Sequence, residues 1–566
     1  MMRDGKYDMR CVISVITVVL GSVALATMPF AEADDNSRSE SFPPNSEPAG
    51  PKNGEASNSY MVGQTTASCV ILDSKGKPVL DNNDPLAKLL LASGACPRNV
   101  FELHSRLLAA GAKIRTTLVA NRGFHNPKLG SFSMFELVSG RLSSLAIDIN
   151  DGEFFFGHFT GTRGVSTLIA EQQPDPDALM IELIAWDPVK QVFNFYELIG
   201  DGQKGQWFYR GNSLDILIDV TLLHRQPNPS QPKFGNRLRC SACHTAGGPI
   251  MKELAAPHND WWTTARPLPF GQWKPDADLS RILQGLVDAG ELAKSVKVGL
   301  SKLYGSEKFQ QAQRTLSLQE QLRPLFCPVE LNLASDSTPF DQKGPQIKIP
   351  SAFFVHPMLT QGAAAMARAH YDAALAATRA KFPETSRADA DHAWLTPVKA
   401  YSDSLTIASL VKQGIIDQEF VSDVLAIDLT NPLFSTARRS LLRMLPNNAA
   451  GDWQAAFKTF LKAGKDPAAQ ELFSNLTDPG RNAKFHQDRA TRFLNQCQAR
   501  LQTKDAVIEM YRLLAQRRAE VRASEISKNP RGQILEPGFR LIFPVVTPAA
   551  TPGRLRLAED GKVISQ

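Results

Sequence analysis

A chain of 566 residues is too long for one hydrophobic core and predicts roughly two to four domains. With 43% hydrophobic and 21% charged residues, the composition excludes the disordered and fibrous classes. Lys and Arg exceed Asp and Glu by a net charge of only +6, with no basic face interleaved with aromatics, which excludes a nucleic-acid footprint and leaves weak attraction to an acidic partner.

In chain order, residues 1–33 read as an export signal. Lys6 and Arg10 precede an apolar run from Cys11 to Leu25, and Ala31-Glu32-Ala33 offers small residues for cleavage after Ala33. A retained anchor needs about 20 uninterrupted apolar residues, and Pro29 and Glu32 close the run early, so no membrane span is expected after cleavage. Residues 34–59 are almost wholly polar, Pro and Gly, a linker that cannot offset its ordering entropy.

Residues 60–226 predict an antiparallel β-rich domain with N-terminal helices. Asp84-Pro85 opens one helix, Asn99 caps a second, and Gly111 stops it. Residues 145–149 and 154–156 then read as a hairpin around Asn150-Asp151-Gly152, and residues 180–185 and 192–196 as another around Asp187-Pro188. Residues 207–209 and the apolar run 216–218 look like further strands. Gly200-Asp201-Gly202-Gln203-Lys204-Gly205 matches G-x-G-x-x-G, but strand-like sequence follows where a dinucleotide site needs a helix, so it reads as a hairpin turn.

Residues 227–345 begin with a Pro-rich connector and contain Cys240-Ser241-Ala242-Cys243-His244. Two residues between the thiols bring both sulfurs to one edge of a porphyrin, and the adjacent imidazole is placed to take an axial position on iron. On these five residues the segment resembles the c-type cytochromes. The resemblance implies one covalently attached haem c, with Cys240 and Cys243 as thioether sites and His244 as proximal ligand. It implies attachment outside the cytoplasmic membrane, in agreement with a periplasmic or otherwise exported protein, and a redox partner protein. Gly247-Gly248-Pro249 reads either as backbone laid close under the haem edge or as an ordinary turn. Helical sequence recurs from Ser280 to about Leu325.

The sixth ligand decides between electron transfer and catalysis. Small electron carriers of this kind use a Met some tens of residues downstream, whereas here the next methionine after Met251 is Met358. Met358 and His258 are the main candidates for the distal position. His356, beside the stiff Pro357, Met251, the upstream histidines His125, His158 and His224, and an open iron stand behind them.

Residues 346–566 predict a helical domain: an alanine-rich helix over 363–379, then 405–411, 420–427 behind Asp417, 453–463, one starting at Asp466-Pro467, 489–501 and 504–526, with an extended tail around 539–546. Of seven cysteines, loss of Cys11 and assignment of two to haem leaves Cys69, Cys96, Cys327 and Cys497. These read as two disulfides, Cys69 with Cys96 and Cys327 with Cys497, or as four buried thiols. The fold class expected is a multidomain α+β protein: the β-rich domain, a central, mostly helical cytochrome c-like haem segment, and the α-helical C-terminal domain. The function expected is electron transfer through the iron. The alternatives are a haem-dependent oxidoreductase, oxidising a substrate or reducing peroxide at an open or ligand-gated iron, and a haem-based sensor. No H-E-x-x-H, P-loop or G-x-S-x-G motif competes.

Overall fold

The computed structural model describes residues 60–64, 69–72, 81–92, 96–121, 131–159, 179–200, 205–218, 244, 246–250, 277–287, 289–327, 331–334, 344–380, 394, 396–448, 451–527 and 554–565. The expected signal, linker, Pro-rich connector and extended tail lie outside these residues.

Eight strands form one antiparallel sheet in the N-terminal half: β1 (Tyr60–Gln64), β2 (Cys69–Leu72), β3 (Lys113–Asn121), β4 (Ser131–Leu142), β5 (Ile147–Phe159), β6 (Leu179–Asp187), β7 (Val192–Gly200) and β8 (Gly205–Asn212). Their order is β2-β1-β8-β7-β6-β5-β4-β3, a meander whose last strand is joined by β1. Side chains alternate across it. Ile181, Leu183 and Ala185 of β6 face α1 (Pro85–Ala92) and α2 (Val100–Ala109), while Ile184 and Trp186 face the opposite side. Asp84 Oδ1 accepts the Ala87 N–H at the start of α1, Asn99 caps α2 through the Glu102 N–H, and Gly111 at φ +98 ends the turn that follows.

The second face is covered by α3 (Ser213–Ile218), α5 (Ala289–Gly305) and α6 (Glu307–Arg314), with α4 (Ala277–Gln284) beside the β3 edge. Leu292, Val296, Gly299, Leu300 and Leu303 recur at helical spacing along α5, and the four larger ones pack on Phe155, Ile184, Phe193 and Phe195.

Two local expectations change in this half of the folded chain. Asn150-Asp151-Gly152 is not a hairpin turn but a bulge inside β5: pairing steps from Gly140↔Ile149 to Val138↔Phe154, and the chain reverses instead at residues 143–146. The bulge exists because α5 docks on it, with Ser295 Oγ donating to Asp151 Oδ1 at 2.6 Å and Lys302 paired with Glu153. The run 216–218 is helical, since Asn212 Oδ1 accepts the Leu214 N–H and starts α3. The hairpin around Asp187-Pro188 forms as read, and Gly200 pairs with Gly205 across β7 and β8, while the residues expected to turn between them lie outside the described ones.

Helices dominate the C-terminal half: α7 (Leu318–Phe326), α8 (Arg368–Thr378), α9 (Tyr401–Lys412), α10 (Gln418–Leu425), α11 (Thr436–Leu442), α12 (Trp453–Ala463), α13 (Pro467–Thr477), α14 (Ala483–Arg500) and α15 (Lys504–Ser527). They share a core containing Leu322, Phe326, Trp394, Phe420, Phe457 and Tyr511. Short strand pairs trim it: β9 (Leu331–Ala334) with β12 (Thr396–Lys399), β10 (Gln346–Pro350) with β11 (Ala363–Ala367), and β13 (Leu555–Leu557) with β14 (Val563–Ser565). Residues 363–367, expected to be helical, are β11. Pairing with β10 buries Ala364 and Met366 on one side and overrides the helix preference of alanine.

Cys327 and Cys497 are free thiols buried in this core, which corrects the expected bridge between them. Cys96 is disulfide-bonded. Among the described residues no helix is long and apolar enough to cross a membrane.

Candidate functional site

His244 is the residue of the attachment motif that the described structure includes; Cys240 and Cys243 lie outside it. A tight turn follows the histidine. The Gly247 N–H donates to the His244 carbonyl at 2.8 Å, with Gly247 at φ +76, a conformation that favours glycine. The chain then folds back so that His244 Nδ1 lies 2.8 Å from the Gly248 carbonyl. A carbonyl only accepts, so Nδ1 carries the proton in that bond.

Neighbouring elements hold this loop on the second face of the sheet. A Cβ on Gly247 would stand 3.0 Å from the Ser213 carbonyl at the start of α3, and one on Gly248 would stand 2.8 Å from Leu300 Cδ2 of α5. Ser213 is itself fixed, its Oγ accepting the Phe193 N–H of β7. Gly247-Gly248-Pro249 therefore lays backbone close to protein, against α3 and α5. His244 is buried, and its ring centroid lies 5.3 Å from that of Phe195.

Its other nitrogen, Nε2, lies 3.2 Å from Oε1 of Glu182 on β6. Here the sheet face changes character. Along β6 the inward residues run from Trp186 and Ile184 to Glu182, and along β7 from Phe193 and Phe195 to Glu197. Glu182 pairs across the strands with Glu197 and Gly157. Glu197 in turn accepts Arg210 Nε of β8 at 2.7 Å, and both partners are buried. His244 thus sits where an aromatic wall meets a strip of two carboxylates and a guanidinium. Ionised groups persist in such a setting only with partners, which these provide for one another.

Glu182 is the site residue that sequence reasoning missed. No local motif connects it to a histidine 62 positions away. The available signal was a single carboxylate in the run Met180-Ile181-Glu182-Leu183-Ile184-Ala185-Trp186, where both faces of the strand are covered.

None of the distal candidates among the described residues stands at His244. His258 and Met251 lie outside the described residues, as do His125 and His224. Met358 packs against the C-terminal core. His356 is buried there, and its Nδ1 accepts the Met358 N–H at 3.2 Å, leaving the proton on Nε2, the nitrogen a metal would need bare. Burial, with Lys399 and Arg438 nearby, pushes its pKa well below the usual histidine range, so it stays neutral. His158 lies on the sheet face opposite His244, where Nε2 is 2.8 Å from Glu136 Oε1.

That opposite face carries two further buried polar clusters. Thr116 Oγ1 donates to Glu136 Oε2 at 2.6 Å, completing a Thr116–Glu136–His158 chain, and buried His104 of α2 is influenced by the same carboxylate. Asp84 Oδ2 accepts Tyr196 Oη at 2.6 Å and Asn194 Nδ2 at 2.7 Å; full burial outweighs these bonds and lifts its pKa to about 6. In the C-terminal half a cleft of about 390 Å³ opens between α13, α15 and β13, its wall carrying Asp428, Glu471 and Glu520 alongside Arg517, Arg554 and Arg556. None of the motif or ligand candidates lines it.

Among the described residues no group of three or more His, Cys, Asp or Glu is placed to hold a metal ion on its own, so any metal at His244 would need ligands from a cofactor or from outside these residues. Neither a known family, nor a curated protein, nor a solved structure matches this chain.

Proposed function

We propose that this protein is an exported c-type haem protein that transfers electrons through one iron, its haem held by Cys240, Cys243 and His244. The observation that carries the reading is the orientation of His244. A ligating imidazole gives one nitrogen to the metal and donates the other N–H to a fixed acceptor, which sets the tautomer and the ring direction. His244 has the second half of that arrangement: Nδ1 is tied to the Gly248 carbonyl, within a turn that Gly247 and Gly248 make possible, while Nε2 is turned to Glu182 Oε1 at 3.2 Å, a contact that a bound iron would have to replace.

When bound, the haem supplies a one-electron couple. The chain's own residues have separate tasks. Phe195 and the α5 side chains Leu300 and Leu303 shield the loop from water, and Glu197 with Arg210 keeps the adjacent strip of the sheet charged in a dry setting. Export and a protein redox partner belong to the same proposal, supported by the signal-like residues 1–33 and the small basic excess.

The test is haem content after denaturation. Protein secreted by a host with a haem-attachment system should retain one haem per chain through denaturing electrophoresis, and Cys240→Ala with Cys243→Ala should lose it. A wild-type protein without covalent haem would overturn the proposal.

A further inference from the structure

We propose that the cleft between α13, α15 and β13 binds a free amino acid with an apolar side chain, its carboxylate taken by Arg517 and its ammonium by Asp428. The proposal stands apart from the haem reading, since every residue it uses lies in the C-terminal half.

Arg517 is the anchor. It is only 7% exposed, yet it lines the cleft. Its Nη1 donates to the Phe353 carbonyl and its Nη2 to the Thr430 carbonyl at 3.0 Å, while the guanidinium carbon lies 4.4 Å from the centre of the Phe353 ring. Burial lowers its pKa to about 10, so it is charged at neutral pH. The two carbonyls use two of the five N–H donors of a guanidinium, and among the described residues no carboxylate pairs with it within 4.0 Å. Neutral carbonyls orient such a buried cation without matching its charge. A carboxylate entering from the cleft matches it, in the two-bonded geometry that arginine and carboxylate favour.

Asp428 supplies the opposite charge. It is half-buried at φ +51, and its carboxylate accepts no hydrogen bond and forms no ion pair among the described residues; Arg438 bonds its backbone carbonyl instead. It is near enough for its charge to act on Arg517, but more than 4.0 Å away. The acidic groups beside it are already matched, Glu471 with Arg489 at 3.4 Å and Glu520 with Arg554 at 3.8 Å, and Arg556 is exposed at the rim. A simple phosphate would meet repulsion from Asp428 and a simple amine repulsion from Arg517, whereas a zwitterion meets neither. Ile427, Ala437, Leu513 and Leu557 give the same cleft apolar wall for a side chain, and its volume of about 390 Å³ falls in the range of small-molecule sites. Its walls are tied together. The Leu555 N–H donates to Gln516 Oε1 at 2.6 Å, Gln516 Nε2 donates to the Leu555 carbonyl at 3.0 Å, and Thr430 Oγ1 donates to the Leu557 carbonyl at 2.9 Å.

The experiment is calorimetric titration of the full chain with L-leucine, L-isoleucine, L-valine, L-methionine and L-phenylalanine, each compared with its carboxamide and with the matching acid that lacks the amine. At least one of these amino acids should bind, and loss of either charged group should weaken it by at least about tenfold. Asp428→Asn suits the same backbone, because asparagine also adopts positive φ. It should weaken the amino acid by at least about tenfold without weakening the amine-free acid. Arg517→Met should abolish binding of both. Binding of none of these amino acids would overturn the proposal. Equal affinity for an amino acid and its amine-free acid would mark an anion site and overturn it too, as would a folded Asp428→Asn that binds like wild type. Should Arg517→Met fail to fold, the carboxamides and Asp428→Asn decide.

Discussion

Gly299→Ala isolates the contact that seats α5 on the sheet beside the His244 loop. In an ordinary helix interior the substitution stabilises by about 1 kcal/mol, because alanine loses less backbone freedom than glycine on folding. Here the added Cβ would stand 2.6 Å from the Gly152 carbonyl, 3.1 Å from Pro249 Cγ and 3.3 Å from Phe193 Cζ. The nearest obstacle is backbone in a β5 bulge with Gly152 at φ +81, and a Cβ on Gly152 would in turn meet the Gly299 amide at 2.7 Å, so no side chain can rotate away. Overpacking of this kind costs about 1–3 kcal/mol. With backbone on both sides the upper end applies, and the helical gain offsets part of it, leaving a net loss of about 2 kcal/mol. Gly305→Ala in the same helix is the control, since nothing lies within 4 Å of its Cβ position, and it should be neutral or stabilising. Urea unfolding followed by tryptophan fluorescence reads the effect directly, because Trp186 packs on this face under Lys302 Nζ, 5.2 Å from its ring. A Gly299→Ala protein as stable as wild type or more so would refute the close-approach argument.

Further outcomes follow from the buried polar groups. Asp84 has its pKa lifted from 3.8 to about 6, so between those values the unfolded chain releases a proton that the folded chain keeps, and stability falls by about 2 kcal/mol as pH rises from 4 to 6. In Asp84→Asn, which retains a capping side chain, that slope should vanish from the urea midpoint plotted against pH; an unchanged profile would show that Asp84 is not the titrating group. His356 acts with the opposite sign: its depressed pKa means stability is lost as pH drops below about 6.5, and His356→Gln should flatten that limb of the same plot. Thr116→Val keeps the shape but removes the hydroxyl donated to Glu136, and calorimetry should register a loss of about 1–3 kcal/mol. Cys327 and Cys497 should resist a thiol reagent in the native protein and both react after denaturation without reductant, since burial pushes the Cys497 thiol up to about 12 and raises Cys327 as well; recovery of neither thiol would restore the bridge.

Much of the fold was legible wherever local chemistry decides the backbone. Asp84-Pro85, Asn99, Asp417 and Asp466-Pro467 start helices because their side chains satisfy amide groups within three residues, an interaction that needs no distant partner. The hairpin around Asp187-Pro188 formed for the same reason, with Asp187 Oδ1 accepting the Val189 and Lys190 amides. The misread stretches are those where a distant element competes. Asn150-Asp151-Gly152 carries the residues of a tight turn, but α5 arrives from 140 residues further on and makes it a docking bulge. Residues 363–367 have helical composition and a β10 partner that outweighs it.

The candidate site divides along the same line. By itself the sequence determined the five-residue motif, the identity of His244 as its imidazole and the glycines that let the following turn close, because these depend on neighbours along the chain. Only the tertiary structure decided which nitrogen of His244 is tied back and which faces the sheet, that the loop rests between α3, α5 and the sheet, and that Glu182 stands opposite. Strand pairing and helix docking bring residues together over separations of sixty positions or more, and nothing in the residues flanking either partner records the distance between them.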